Sequence, residues 1–269
     1  MNLAFIGGGN MANALIGGLL ARGHDPRRIS VIELAPAARD KIGARGVRVA
    51  TAPDATTAKA DVLVLAVKPQ DARAALASVA TSISGKLVIS IAAGVRLDAL
   101  SRWLDGHRKL VRCMPNTPAL VGAGITGVYA PPEVVVEDRE RAESILSAVG
   151  RVVWVKEERL LDVVTAVSGS GPAYVFWFIE QLAAFAEREG IAAPDALRLA
   201  KQCVLGSAQL AEASTDSPAQ LRRNVTSKGG TTEAALRVFE EEKLAERFAQ
   251  ALAAATRRGG ELGDVLGKD

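Results

Sequence analysis

The chain has 269 residues, 49% of them hydrophobic but only 4% aromatic, so a core of Ala, Val, Leu and Ile can serve one large domain or two modest ones. Its formal charge of +3 includes no Lys/Arg run dense enough for a nucleic-acid surface. The most apolar run, residues 173–186, is interrupted by Glu180 and Gln181 and is too short to span a bilayer.

Residues 3–6 read as a buried strand, and Ile6-Gly7-Gly8-Gly9-Asn10-Met11-Ala12 carries it into a helical pattern ending at Arg22. This is G-x-G-x-x-A between a strand and a helix, the dinucleotide fingerprint. Gly7 permits the tight turn, Gly9 lets the backbone reach a pyrophosphate, and Ala12 lets the helix pack close to the strand. A second strand, 29–33, ends in Glu33, about 20 residues past the glycines, where the fingerprint places an acid. A carboxylate there accepts hydrogen bonds from a ribose 2′-OH and repels a 2′-phosphate, which favours NADH over NADPH. Arg39 is the nearby cation able to oppose that preference.

Strands follow at 47–50, 61–67, 86–91 and 110–114, with a helix at 71–79. The run 61–67 is apolar throughout, as in a parallel sheet buried on both faces. The strand ends Ala66-Val67-Lys68-Pro69, Ala92-Ala93-Gly94 and Pro115-Asn116-Thr117-Pro118 are expected to join the glycine turn along one cleft, because open α/β sheets bind ligands outside the carboxyl ends of their strands. The small side chains of Ala92, Ala93 and Gly94 leave room for a cofactor ring. Strands 124–130 and 151–155, joined by a helix at 137–149, complete an α/β Rossmann-type region, 1–157.

After Glu157 only helices are expected, at 160–167, 172–189, 193–212, 219–224, 232–239 and 243–258, forming an all-α region, 158–269. Tyr174-Val175-Phe176-Trp177-Phe178-Ile179 is apolar on every side of its helix, and so small a helical domain cannot cover it. A second subunit is the expected cover. Ser168-Gly169-Ser170-Gly171-Pro172 opens the long helix with proline in its first turn, and its serines and N–H groups face a possible ligand. Gly229-Gly230-Thr231-Thr232 opens a later helix. Glycines admit a close ligand, a helix start suits a carboxylate, and the threonine hydroxyls can bind a second polar atom. A plain N-cap is the simpler alternative there. Cys113 and Cys203 lie far apart and read as free, buried thiols of a reducing cytosol. His24 and His107 sit in turns with no metal-ligand spacing. No signal-peptide pattern opens the chain, so a cytoplasmic location is expected.

These stretches, in this order, resemble pyrroline-5-carboxylate reductases. The likeness runs from Phe5 to the region of Leu252 and rests on Phe5-Ile6-Gly7-Gly8-Gly9-Asn10-Met11-Ala12, Ala66-Val67-Lys68-Pro69-Gln70, Ser90-Ile91-Ala92-Ala93-Gly94-Val95 and Arg112-Cys113-Met114-Pro115-Asn116-Thr117-Pro118, then on the Ser168 and Gly229 turns. The resemblance implies NADPH or NADH as cofactor and reduction of 1-pyrroline-5-carboxylate to L-proline. It implies dimerisation through the helical domain and, in many members, assembly of dimers into decamers. Carried over residue by residue, Gly230 and Thr231 give N–H groups to the substrate carboxylate, Thr232 bonds the imine nitrogen, Ser227 helps hold the substrate, and Asn224 reaches the cofactor. Two departures stand out. Lys228 replaces the family's usual proline, and Glu33-Leu34-Ala35 lacks the Ser or Arg that many relatives place near a 2′-phosphate.

A related cyclic-imine reductase is an alternative. So is a β-hydroxyacid dehydrogenase, which places a lysine on its long interdomain helix, but no lysine lies between Lys156 and Lys201 here. A non-catalytic dinucleotide-binding protein would be expected to lack the two later turns, and both are present.

Overall fold

Each apolar run of the first half becomes a strand: β1 (Leu3–Ile6), β2 (Ile29–Ile32), β3 (Arg48–Ala50), β4 (Val62–Leu65), β5 (Leu87–Ser90), β6 (Leu110–Met114), β7 (Gly124–Tyr129) and β8 (Gly150–Trp154). The computed structural model describes residues 1–268. The strands form one sheet in the order β3-β2-β1-β4-β5-β6-β7-β8. Neighbours are parallel except at β6 and β7, where Cys113 faces Val128 across an antiparallel joint. The link between those two strands is a single turn around residues 117–121, too short for the crossover that a parallel pair requires.

Side chains on a strand alternate between faces, and here both faces are apolar. Leu3, Phe5, Val62 and Val64 enter one layer with Leu15 and Ile16, while Ile6, Leu63 and Leu65 enter the other with Leu76 and Leu100. None of these side chains is more than 3% exposed. Cutting one such leucine to alanine costs about 2–5 kcal/mol. Around the sheet run α1 (Asn10–Ala21), α2 (Pro36–Gly43), α3 (Ala55–Ala58), α4 (Ala72–Ala77), α5 (Leu97–Trp103), α6 (Val136–Leu146) and α7 (Leu160–Val164). Of these, α2, α3 and α5 were not expected from the sequence. They are short, and α3 is a single turn held by a capping box between Asp54 and Thr57.

The second half holds α8 (Gly171–Arg188), α9 (Ala193–Ala213), α10 (Pro218–Asn224), α11 (Thr231–Glu241) and α12 (Leu244–Leu266). By packing, the chain divides into Met1–Gly169 with everything from Ala255 onward, and Ser170–Ala254. The sequence places the break at residue 157 instead. Two contacts account for the difference. Val164 of α7 lies against Gly127 of β7, and the last turns of α12 lie against α5 and the loop before it. There Arg96 Nη1 pairs with Asp264 at 2.7 Å, and Arg96 Nη2 donates to Gly260 O at 3.1 Å. The helix ends eight residues later than expected, at Leu266 rather than Arg258. Its glycines are tolerated because they face neighbours: a Cβ on Gly263 would lie 2.8 Å from Arg96 Nε.

In the helical unit α8 and α9 pack together, yet α8 buries only Ala183, and α9 only Ala196 and Ala200. Phe176 is 59% exposed and Trp177 52%. A contiguous apolar surface of this kind marks an interaction site.

Candidate active site

The glycine turn follows β1. Gly7 has φ +96°, a left-handed conformation that favours glycine, and a Cβ there would lie 2.7 Å from Ala66 O. Its N–H donates to Ile32 O at 2.8 Å, and Ala66 N–H donates to Ile6 O at 2.8 Å, so the turn is tied to β2 and to the end of β4. A Cβ on Gly9 would meet nothing within 4 Å, which leaves that side of the turn open. Helix α1 begins there with no side-chain cap. Its first N–H groups, from Asn10, Met11 and Ala12, are those that helix geometry leaves without a partner. This is a cradle for an anion such as a dinucleotide pyrophosphate.

Glu33, just past β2, has both carboxylate oxygens engaged. Oε2 accepts from Gly8 N–H at 2.7 Å and Oε1 from Ala35 N–H at 2.8 Å. Arg39 Nη1 is held beneath by Glu33 O at 3.3 Å and Leu34 O at 2.6 Å.

Because β1, β4, β5 and β6 are adjacent and parallel, Ala66–Pro69, Ala92–Gly94 and the turn after Met114 leave the same edge of the sheet as the glycine turn. Lys68 is exposed there. Asn116 is 8% exposed, and its side chain is committed to the protein: Oδ1 accepts from Ile125 N–H at 2.9 Å, and Nδ2 donates to Ser168 O at 3.2 Å. Only its backbone can serve a cofactor in this arrangement. The segment before α8 differs from the simple helix start expected. Residues Thr165–Gly169 form a π-turn that continues α7, and the Ser168 hydroxyl donates to Val164 O at 3.0 Å rather than standing free. Gly169 admits the Met114 methyl, which would lie 2.6 Å from a Cβ. Ser170 precedes α8, whose first turn does hold the proline.

In the helical unit Ser227–Gly230 is a tight turn closed by Gly230 N–H to Ser227 O at 3.0 Å. This corrects the carried-over role of Gly230, whose N–H is engaged within the turn. A Cβ at this residue would sit 2.5 Å from Ser227 Oγ and 3.0 Å from Ser227 O, so a larger residue would displace the Ser227 hydroxyl. Gly229 has φ +70°, Lys228 does not, and Lys228 therefore occupies the second position of a type II turn, where proline is favoured. Helix α11 then starts at Thr231 with no side-chain cap, leaving the N–H groups of Thr231 and Thr232 for a ligand. Asn224 has both amide ends in use, with Gln220 at 2.7 Å and Asp216 at 3.3 Å.

Three residues matter here that sequence reasoning did not single out. Glu233 accepts from Gly229 N–H at 2.7 Å and braces the Ser227–Gly230 turn. Asn13 holds the glycine turn. Arg112, 4% exposed, pairs with Glu158 at 3.0 Å and lies 3.6 Å from Asp162, and Glu158 also accepts from Leu97 N–H at 2.8 Å. That buried cluster anchors α5 and α7 under the strand ends. An acid three places after an N-cap glycine was the one available signal, for Glu233.

Burial pushes the Cys113 thiol far above its ordinary value, so it is no nucleophile. Cys203 is exposed on α9, where a buried thiol was expected. Burial lowers both His24 and His107. Among the described residues no group of three His, Cys, Asp or Glu is arranged for a metal ion, and no helix is long and apolar enough to cross a membrane.

Comparison with known proteins gives consistent results. Residues 158–262 match the family profile described as pyrroline-5-carboxylate reductase dimerisation, and residues 2–94 that described as NADP oxidoreductase, coenzyme F420-dependent. A pyrroline-5-carboxylate reductase of Pseudomonas aeruginosa is 44% identical over 268 residues, covering 99% of this chain and 98% of the relative. The structure of a pyrroline-5-carboxylate reductase from Coxiella burnetii is similar with a TM-score of 0.92 at 43% identity, covering 97% of this chain and 98% of the other. A pyrroline carboxylate reductase of Plasmodium falciparum, solved with NADP bound, gives a TM-score of 0.85 at 28% identity over 98% of each chain.

Proposed function

The chain belongs to the pyrroline-5-carboxylate reductase family, and from that premise we propose how its residues divide the reaction. The enzyme reduces 1-pyrroline-5-carboxylate to L-proline using a reduced nicotinamide dinucleotide. The observation that carries this reading is 44% identity over 99% of the chain to a pyrroline-5-carboxylate reductase, in a chain that carries both glycine turns.

The residues of the glycine turn fit a dinucleotide: the face at Gly9 is open and α1 is uncapped. When bound, the nicotinamide supplies hydride, and the protein supplies position and electrostatics. In our reading Gly7 to Ala12 seat the pyrophosphate, Ala66 to Pro69 and Ala92 to Gly94 border the rest of the cofactor, and Asn116 and Asn224 flank it. The uncapped N–H groups of Thr231 and Thr232 take the substrate carboxylate. The Thr232 hydroxyl orients the ring nitrogen and passes it a proton, and Ser227, Gly229, Ser168 and Ser170 border the ring. A cyclic imine protonates readily, so no strong acid need be built in. The chain forms a homo-oligomer, in our reading a dimer joined through α8 and α9. The functional boundary at residue 157 is supported by the start of the dimerisation profile at residue 158.

We further propose that NADH is preferred. The Glu33 carboxylate is held by two backbone N–H groups at the end of β2, where a ribose 2′-phosphate would meet its charge. Oxidation of NADH and NADPH with 1-pyrroline-5-carboxylate, measured side by side, tests both readings. The expected result is turnover with both and a higher kcat/KM for NADH. Glu33→Ser raises the NADPH/NADH ratio, and a static or falling ratio removes Glu33 from the choice.

A further inference from the structure

The glycine turn is held by more than its own conformation. Asn13, in the first turn of α1, is 8% exposed. Its Nδ2 donates to Gly8 O at 2.7 Å and to Gly9 O at 3.3 Å. On the other side of Gly8, the N–H donates to Glu33 Oε2 at 2.7 Å. Arg45 crosses Gly17, where a Cβ would lie 2.8 Å from its Nη1, and donates from that nitrogen to Asn13 O at 3.0 Å. Arg45 therefore braces the turn of helix that carries Asn13.

The geometry of the peptide bond turns these contacts into a statement about the ligand. A trans peptide is planar, and its C=O and N–H point in opposite directions. Glu33 fixes the plane between Gly7 and Gly8 by its N–H. Asn13 fixes the plane between Gly8 and Gly9 by its C=O. With Gly8 O held toward Asn13, the Gly9 N–H is turned away from it, and a Cβ on Gly9 would meet nothing within 4 Å. Glycines are the residues that lose most freedom on ordering, so a turn of three of them gains most from being set in advance.

We propose that Asn13 is a positioning residue for the cofactor: by holding the carbonyls of Gly8 and Gly9 it aims the Gly9 N–H at the pyrophosphate. It touches neither substrate nor dinucleotide and acts through the turn alone. The proposal rests on the reading that the pyrophosphate sits on this turn, and the test separates the two.

The experiment measures dissociation constants for NADH by fluorescence, and inhibition constants for ADP-ribose and adenosine, on the full-length enzyme. Asn13→Ala is expected to weaken NADH and ADP-ribose about fivefold, the scale of lost preorganisation, with kcat and the KM for 1-pyrroline-5-carboxylate unchanged. Adenosine has no pyrophosphate, and its inhibition constant stays put. Asn13→Ser, whose hydroxyl can still reach the Gly9 carbonyl one turn back, falls between Ala and wild type. Asn13→Asp sets an acceptor against two carbonyls and weakens NADH most. Unchanged NADH affinity in all three variants overturns the proposal, as does an equal loss for adenosine, whatever the melting temperature does. Gly9→Val is the control for the underlying reading. If it binds NADH like wild type, the pyrophosphate is not at this turn and both readings fall. If it abolishes binding while the Asn13 variants bind normally, only the role of Asn13 falls.

Discussion

The two units treat their apolar residues in opposite ways. In the sheet unit Phe5, Leu63 and Leu65 are completely enclosed by neighbours from the same chain. In the helical unit Phe176, Trp177 and Phe185 stand half-exposed, and among the described residues of α8 only Ala183 is buried. Their functional turns differ in the same sense. The glycine turn of the sheet unit is braced by Glu33, Asn13 and Arg45. The turn at Gly229 and Gly230 lies among exposed residues and has one side-chain brace, Glu233. One unit is covered by its own sequence, and the other leaves a face that, in our reading, a second copy covers. The lesson is that cofactor binding and substrate turnover should respond separately to damage.

The largest separation should come from the exposed face. Trp177→Glu together with Phe176→Glu places two charges in the expected interface, where unpaired charge costs several kcal/mol. The protein is expected to become monomeric by light scattering and to lose proline formation, while NADH still binds. A monomeric wild type at micromolar concentration would break the comparison at its root.

Thr232→Ala comes next. It leaves the oligomer and cofactor affinity intact and lowers kcat roughly 10- to 100-fold, the scale of one hydrogen bond lost from a charged transition state. Unchanged proline formation would remove Thr232 from the mechanism.

The smallest effect concerns Lys228. At the second position of its turn the backbone has negative φ and is suited to proline. Lys228→Pro should raise stability by about 0.4–1 kcal/mol, chiefly by restricting the unfolded chain. A lower melting temperature would show that the turn needs the lysine N–H or a different φ.

Much of this was legible in the sequence. The inner strands β1, β2, β4 and β5 stand out because buried parallel strands are continuous apolar runs, and the glycine fingerprint names its own ligand class. The substrate turn was legible as a glycine pair before two threonines. What escaped notice depends on partners distant in sequence. Asn13 reads as an ordinary helical residue until Gly8 and Gly9 fold back over it. Arg112 gains meaning only from Glu158, 46 positions on. Gly259 and Gly260 read as the end of a helix, yet α12 continues through them: a Cβ on either would lie within contact distance of Asp162 of α7, and the last turns beyond them lie on α5 and its preceding loop. The engaged N–H of Gly230 could not be seen without knowing that the turn closes on Ser227.

The last turns of α12 carry one more consequence, for synthesis. A Cβ on Gly94, in the loop that follows β5, would lie 3.0 Å from Leu266, and Arg102 binds the carbonyl of Gly267. The sheet unit therefore includes residues 255–268 as well as residues 1–169. Domains that are contiguous in sequence can finish folding while the ribosome is still at work. Here the loop after β5 must wait for residues 255–267, by which time the helical unit has already emerged. The unit that carries the glycine turn is therefore completed only after the helical unit has been made.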